Sequence, residues 1–571
     1  MQWIIKQPWP GCESMARRLG VHPLIVQLLF NRGLDRPEAM KAFLEPRMSM
    51  LHAPEELPGA KEAAALIVAR MHEGKRIVIY GDYDVDGITG TAILWHLLTL
   101  AGADVSFYIP HRIDEGYGLN ADAVRQLARD GYDVLITVDC GITAVEEIRL
   151  ARDLGLTTVI TDHHRPGSTL PDAHVVVHPG LEGKYPNHDL CGAGVAFKLA
   201  WAIAKHLSNA EKVSPEFREF LTSAMGLVAL GTIADVVPLL GENRVLARYG
   251  LANLKASKLS GIAALIESAR LADQKLNSDH VGFWLAPRLN AAGRMGHAQL
   301  AAELLTRADE KRAREIAQYL EEQNRSRQNL ERRIFNEAVE IVQERKLATD
   351  ARRAIVVAGE GWHAGVIGIV ASRLVERFGR PTLMISLDNG EGQGSGRSIP
   401  NFDLHKALAE CAHHLLTYGG HAMAAGLRVK RSKLEEFTEH FVERANRTLT
   451  ARDLEPTLHL DAEAGPSVWS VQLAREVEKL GPFGAGNHKP KFASPVLHLD
   501  GEPRAVGRSA NHLQFCLTDG RCRMKAIAFD QADKLEALRV RRQCRVAYEP
   551  CLNEFNGRVS VEMQVIDISF A

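Results

Sequence analysis

Three aspartates at alternate positions, Asp82, Asp84 and Asp86, follow the apolar run that ends at Tyr80, with Gly81 before them and Gly87 after. Carboxylates crowded this way raise one another's pKa and are costly unless a cation neutralises them. If the segment stays extended, the alternation points all three the same way. The run Asp-x-Asp-x-Asp-Gly also opens calcium loops, but the glutamate that closes the helix-flanked frame is missing, and a Thr89-Gly90-Thr91 helix start follows Ile88 instead. Further groups of the same kind sit downstream: Asp139 in Val138-Asp139-Cys140-Gly141, His163 and His164 in Thr161-Asp162-His163-His164, and Asp235 after the apolar stretch 226–233. Carboxylates and neutral imidazoles are mixed oxygen and nitrogen ligands that suit Mn²⁺ or Mg²⁺, and the single thiol in these clusters, Cys140, falls short of the thiolate set of a structural zinc site. Asp139 is suited to bridge two ions through its two oxygens, and Asp235 to close the shell.

These groups need a scaffold that brings them to one place. From about residue 75 to 235, short β-branched runs at 76–80, 105–109, 134–138 and 157–160 alternate with helix-like stretches, a rhythm that predicts a parallel α/β sheet. Ligands collect beyond the carboxyl ends of the strands in such sheets, where Asp82 to Asp86, Asp139 and Asp162 to His164 stand.

Downstream, neither glycine nor proline occurs between Gly296 and Gly359, while Ile316, Leu320, Leu330, Ile334, Ala338 and Ile341 keep helical spacing amid dense charge. The spacing predicts one helix of about 35 to 40 residues, roughly 50 to 60 Å long, spanning two domains. Arg325, Arg327, Arg332 and Arg333 read as its solvated face rather than as a DNA track. A second α/β unit follows, with strands at 354–358 and 381–387 and a glycine-rich region from Gly390 to Gly396. From about Pro456 the pattern changes to short strands at 513–517, 524–529, 544–548 and 559–566 punctuated by Gly and Asn, which fit a small β-barrel of the oligonucleotide-binding (OB) type. Phe483, Phe492, His512 and Phe515 are candidate base stackers there, with core packing the stronger reading for each Phe. The expected partition is an N-terminal extension (1–50), a metal-bearing domain (51–300), the connecting helix (301–348), the second α/β domain (349–450) and the barrel domain (451–571).

Composition sets outer bounds. With 571 residues the chain is expected to hold about three or four domains. Lys and Arg number 69 against 70 Asp and Glu, so any polyanion site must be local rather than a global basic field. Eight cysteines without a Cys-x-x-Cys pair argue against zinc ribbons and against a secreted disulfide framework, and for a reducing, cytoplasmic setting. The N-terminus lacks a charged run leading into an apolar one, and apolar runs fall short of about 18 residues, so neither secretion nor membrane spanning is expected. A phosphate loop of the Gly-x-x-x-x-Gly-Lys-Ser/Thr type is missing too, which removes a kinase-like reading.

Taken in order, the Asp-x-Asp-x-Asp-Gly, Val-Asp-x-Gly, Asp-His-His and Ala-Asp motifs resemble those of the DHH phosphoesterases. Longer stretches sharpen the resemblance to the single-strand-specific exonucleases of that family: 80–89, 232–239, 287–294 (Pro-Arg-Leu-Asn-Ala-Ala-Gly-Arg), 394–398 and 419–426. It runs from about residue 50 to the end. The loop 481–487 also matches, with His488 and Lys489 in place of the family's more usual proline and acid.

The resemblance implies a metal-dependent exonuclease that degrades single-stranded DNA from the 5′ end to 5′-mononucleotides and acts in DNA recombination and repair. It also implies two Mn²⁺ or Mg²⁺ ions held by Asp84, Asp86, Asp139, His163 and Asp235, with Asp82 a further ligand and His164 an outer or phosphate-contacting group. Tyr80 stands where smaller relatives carry a ligating histidine. A facing wall of phosphate contacts is implied at Arg288, Arg294, Ser395, Arg397, Ser398, Gly420 and His421, the glycines there allowing backbone N–H groups to approach an anion. A monomer is expected, with a single-strand-binding protein and a helicase as partners. The alternatives within the family are an oligoribonuclease or small-nucleotide phosphodiesterase, disfavoured by the barrel domain, and an inactive replisome component, disfavoured by the full set of acids.

Overall fold

The computed structural model describes residues 1–111, 115–209, 212–294 and 297–570. The metal-bearing domain is built on five parallel strands in the order Val105–Tyr108, Ile77–Gly81, Val134–Val138, Thr157–Thr161 and Val175–Val177. The last, only three residues long, is missing from the sequence reading. Three strands, Ile77–Gly81, Val134–Val138 and Thr157–Thr161, are buried along their whole length, as helix-covered parallel strands are. From Ile77–Gly81 the chain crosses to one neighbour and then returns to add Val134–Val138 on the other side. The strand order thus reverses between the ends that carry Asp82 and Asp139, the place where open α/β sheets leave a crevice. Helices Val85–Leu100, Gly192–Ser208 and Pro215–Ala234 pack over one face. Pro215–Ala234 is long and apolar enough to cross a membrane by length and composition, yet Leu221 and the run from Ala224 to Thr232 are buried inside this domain.

The connecting helix is Glu310–Glu344, 35 residues, capped by the Asp309 side chain on the N–H of Arg312. Of the four arginines singled out on it, three are in ion pairs and Arg332 is exposed. Arg325 meets Glu321, Arg333 meets Glu337, and Arg327 is buried against Glu331 and Asn324.

The second domain holds a five-stranded sheet in the order Leu415–Gly420, Ala424–Lys430, Glu391–Arg397, Thr382–Asp388 and Ile355–Glu360. Here the sequence reading needs correction. The glycine-rich region is not an anion-binding turn but the central strand Glu391–Arg397, whose backbone pairs with neighbours on both sides. Gly392 and Gly394 serve packing: a Cβ at Gly394 would stand 2.8 Å from Leu427 Cγ, and one at Gly392 2.7 Å from Ile385 Cγ2.

The C-terminal domain is a mixed sheet in which Gln543–Phe555, Leu497–Leu499, His512–Thr518, Arg523–Ala528 and Arg558–Ser569 close into a ring, as an OB barrel does. Phe492 and Phe515 are core residues, 0% and 2% exposed, so of the four candidate stackers only Phe483 and His512 keep surface. The N-terminal extension docks on this barrel. Ala16, Ile25, Leu28 and Met40 share its apolar core, Gln2–Ile5 pairs with Thr457–Leu460, and Asn31 donates to the Asp461 carbonyl at 2.8 Å. Arg244 ties the metal-bearing domain to both. Its guanidinium, stacked 3.9 Å over Phe43, donates to the carbonyls of Phe43, Lys479 and Leu480. All eight cysteines are free thiols.

Candidate metal centre

The three aspartates after Tyr80 do not continue the strand. Asp84 is the N-cap of the helix that begins at Val85, its Oδ1 accepting from the N–H of Asp86 at 2.9 Å and of Gly87 at 3.1 Å. The helix start therefore lies before Ile88, and Asp86 belongs to its first turn. Asp86 then turns to a second helix start, accepting from the N–H of Gly192 at 2.5 Å and of Ala193 at 2.9 Å. A carboxylate placed on two unused N–H groups at a helix N-terminus is held rigidly and favourably. Two glycines make room. A Cβ at Gly192 would lie 2.7 Å from Asp139 Oδ1, and one at Gly231 2.5 Å from Asp86 Oδ1.

Asp139 follows the strand Val134–Val138 with a φ of 63°, a left-handed conformation that non-glycine residues seldom adopt. Its Oδ1 lies 3.1 Å from His163 Nε2, which in turn lies 3.5 Å from Asp235 Oδ2 and 3.8 Å from Asp86 Oδ2. Asp82, Asp84 and Asp139 bring carboxylate oxygens within 4.8 Å of one another, as do the ligand atoms of Asp86, His163 and Asp235. Asp139 also groups with His163 and His164, so it stands between the two sets.

Asp162 is the brace of this motif. Its Oδ1 accepts from the backbone N–H of His163 and His164 and lies 2.8 Å from His164 Nδ1, while Oδ2 accepts from Ile142 N–H at 2.9 Å. His178, buried, donates from Nε2 to the His164 carbonyl at 2.7 Å, and its Nδ1 accepts from Gly180 N–H. Tyr117 sets its hydroxyl 3.2 Å from His164 Nδ1. Tyr80 is turned away, buried, with its hydroxyl donating to the Gly118 carbonyl.

The electrostatics follow from this crowding. Burial and the neighbouring carboxylates of Asp86, Asp84 and Asp82 raise Asp139 well above the usual carboxylate range. Asp84 is raised by burial and Asp86, and burial with Asp86 and Asp84 pushes Asp235 up to about 8. Burial lowers His163, which keeps its imidazole neutral and able to ligate. Burial opposes charge on His164, but the bond to Asp162 and the carboxylates of Asp235 and Asp86 bring it up to about 9. Asp162 itself, despite burial, is held low by His164 and by backbone N–H groups.

Whether a cation fits can be judged from unused atoms. Asp139 Oδ1 and His163 Nε2 are both buried and make no hydrogen bond. Buried polar atoms are almost always satisfied, and a carboxylate oxygen and an imidazole nitrogen left together among further carboxylates are the donor set of a divalent ion.

The expected phosphate wall divides. Ser395 and Arg397 lie side by side over the helix Ala364–Phe378, with Arg397 donating to Ser395 Oγ at 3.4 Å, and Gly420 and His421 are exposed at the end of their strand. Arg294 reaches from the metal-bearing domain to the Gly365 carbonyl at 3.0 Å. Two residues are not presented to a ligand. Ser398 is buried and donates to the Phe402 carbonyl, and Arg288 is a strut, 8% exposed, paired with Glu321 at 2.7 Å and donating to the Trp284 carbonyl. The sequence reading missed Tyr117, His178, Gly192 and Gly231. Only the Cys191-Gly192-Ala193-Gly194 run, small residues at a helix start, carried a local signal for any of them.

Known proteins can be set against this geometry. Residues 76–232 match the DHH family N-terminal domain, 351–447 the DHHA1 domain and 460–567 the RecJ OB domain. The single-stranded-DNA-specific exonuclease RecJ of Bacillus subtilis is 37% identical over 99% of this chain and 70% of its own length. RecJ from Thermus thermophilus in complex with Mn²⁺ superposes with a TM-score of 0.85 at 32% identity, covering 100% of this chain and 80% of that one. Its complex with Mg²⁺ gives 0.79 at 31% identity, covering 100% and 78%. With identity of this order over nearly the whole of this chain and the same succession of domains, the chain belongs to the RecJ family of DHH single-stranded-DNA-specific exonucleases.

Proposed function

We propose that this chain hydrolyses single-stranded DNA from the 5′ end to 5′-mononucleotides, using two Mn²⁺ or Mg²⁺ ions held by Asp82, Asp84, Asp86, Asp139, His163 and Asp235. The observation that carries this is the pair of buried, unsatisfied atoms, Asp139 Oδ1 and His163 Nε2, 3.1 Å apart within a shell of carboxylates. When bound, such ions lower the pKa of a coordinated water and offset charge at phosphorus. Asp139 lies between the two ligand groups and would contribute to holding an ion at either. Asp84 and Asp86 are fixed by helix N–H groups, so the chain meets its ions without reorganising. His164, braced by Asp162, keeps a proton to donate to a phosphate oxygen. Ser395, Arg397, Gly420 and His421 serve the strand's backbone from the second domain, and Arg294 holds that domain in place. The half-buried His512 and the exposed Phe529, ring centroids 5.2 Å apart, offer a stacking surface on the barrel. The same reading makes the chain a cytoplasmic monomer supplied with single strands by a helicase and a single-strand-binding protein.

The direct test is to incubate purified protein with Mn²⁺ and a 5′-labelled single strand. Labelled mononucleotide should appear and should be abolished by Asp139→Ala. Equal release by the variant, or release of internal oligonucleotides first, defeats the mechanism.

A further inference from the structure

The second domain carries a cluster of imidazoles that the phosphodiester chemistry does not use. The short turn Ala412–His414 presents His413 and His414, and the helix Leu434–Thr448 brings His440 against them. One ring nitrogen from each of the three lies within 4.8 Å of the other two. His414 Nε2 is 2.8 Å from His440 Nδ1, and the His413 ring centroid lies 4.0 Å from that of His414, tilted to it, and 5.4 Å from that of His440, edge-on. Glu436, one helical turn before His440, places Oε2 3.6 Å from His414 Nδ1, and Lys433 holds that carboxylate at 2.9 Å.

A carboxylate on the Nδ1 side of His414 favours a proton there and so favours Nε2 as the ligating atom, the way an outer carboxylate orients a metal-binding imidazole. Both sides are anchored beforehand. Phe437 and Phe441, fully buried, flank His440 on its helix; His414 N–H donates to the Cys411 carbonyl at 3.0 Å; and Arg444 pairs at 2.8 Å with Glu410, the last residue of the helix Leu404–Glu410 that precedes the turn. Three nitrogens about a zinc ion stand about 3.3 Å apart, so the rings need only small rotations to close on one.

We propose that His413, His414 and His440 form a second metal site, separate from the catalytic centre, that takes an imidazole-preferring divalent cation such as Zn²⁺. An all-nitrogen set of this kind favours Zn²⁺, Ni²⁺ or Cu²⁺ over the Mn²⁺ and Mg²⁺ that suit the carboxylate-rich centre. A bound ion clips the turn to the helix at the base of the strand Leu415–Gly420, which leads to His421.

Chelator-stripped full-length protein is dialysed against Zn²⁺ alone and the bound metal counted, alongside Asp86→Ala/Asp139→Ala and His413→Gln/His440→Gln. The inference expects one tightly bound Zn²⁺ that persists in the aspartate variant and is lost from the histidine variant, with a Zn²⁺-dependent rise in Tm lost alongside it. Circular dichroism and unchanged Mn²⁺-dependent nuclease activity establish that the histidine variant is folded; His413→Gln alone replaces it if it is not. A histidine variant that binds as much Zn²⁺ as the parent, or a parent that takes up Zn²⁺ only at the aspartates, overturns it.

Discussion

Metal uptake by this chain should release protons, and the number can be worked from the site. Without a cation, Asp235 sits at about 8, so at pH 7 it is about nine-tenths protonated. Asp139 and Asp84 are raised by the same crowding. Ligands must be deprotonated to bind, so Mn²⁺ binding at pH 7 is expected to release about one proton from Asp235, with Asp139 and Asp84 adding to it in the same direction. Apparent affinity should fall about tenfold per pH unit per proton as the pH drops below 8. Isothermal titration in buffers of different ionisation enthalpy reads the proton count from the slope of the observed enthalpy. Stability is linked to the same groups. Between about 4 and 8 the folded, metal-free protein binds protons that the unfolded chain has already lost, so its stability falls as pH rises through that window and is unaffected below it. Chelator-treated protein should thus lose Tm from pH 5 to pH 8, and saturating Mn²⁺ should remove the loss. His164, at about 9, keeps its proton if it only donates to phosphate, so His164→Gln should leave the proton count unchanged. A zero slope at pH 7 with affinity flat from pH 6 to 8 would refute the reasoning.

Three further outcomes follow from the packing. Gly231→Ala puts a Cβ 2.5 Å from Asp86 Oδ1 and 2.7 Å from both Ala193 Cβ and Thr89 Oγ1, and should cost about 1–3 kcal/mol in urea unfolding together with a weaker Mn²⁺ site. Lys198 and Glu242 form a fully buried ion pair, with Tyr185 donating to Glu242 at 2.6 Å, so Glu242→Ala should destabilise by about 3–5 kcal/mol. Replacing both partners by apolar residues of similar size should cost less than that single change, and the reverse order in urea melts would contradict it. Removing the aromatic pair by His512→Ala/Phe529→Ala should weaken single-strand binding by about 1–3 kcal/mol per stacked base without altering Mn²⁺ affinity. An unchanged Kd for single strands would exclude that surface.

How much of this could be read beforehand depended on how local the cause was. The strands ending before Asp82, Asp139 and Asp162 are buried on both faces and so appear as unbroken β-branched runs, and their carboxyl ends mark the crevice whatever surrounds them. The second domain was harder. In Glu391–Arg397 glycine occupies every inward position, so the apolar alternation that announces a strand is replaced by neighbours' side chains, Ile385 and Leu427 among them, filling the space instead. A glycine alternation of this kind reads as a turn until its partners are known. Ser398 and Arg288 are each engaged within the protein, Ser398 by the Phe402 carbonyl four residues on and Arg288 by Glu321 of the connecting helix, partners that the motifs themselves do not encode.

The docking of the N-terminal extension lay furthest beyond reach, because Asn31 meets Asp461 across 430 positions and Arg244 meets Leu480 across 236. Yet these contacts bear on the site. Asp235 ends its helix beside Val236, whose φ of 62° is a strained conformation for a β-branched residue. Shortly after it the chain is caught: Leu239 N–H donates to the Ala485 carbonyl at 2.8 Å, and Asn487 of the same loop, fully buried, accepts from Arg32 at 2.7 Å. A left-handed valine persists only where its surroundings over-determine it, and here the extension, the barrel domain and Arg244 do so together. The position of Asp235 in the metal centre is therefore set in part by residues about two hundred or more positions away. That dependence explains why the carboxylate cluster was visible in the sequence while the means of holding its last member was not.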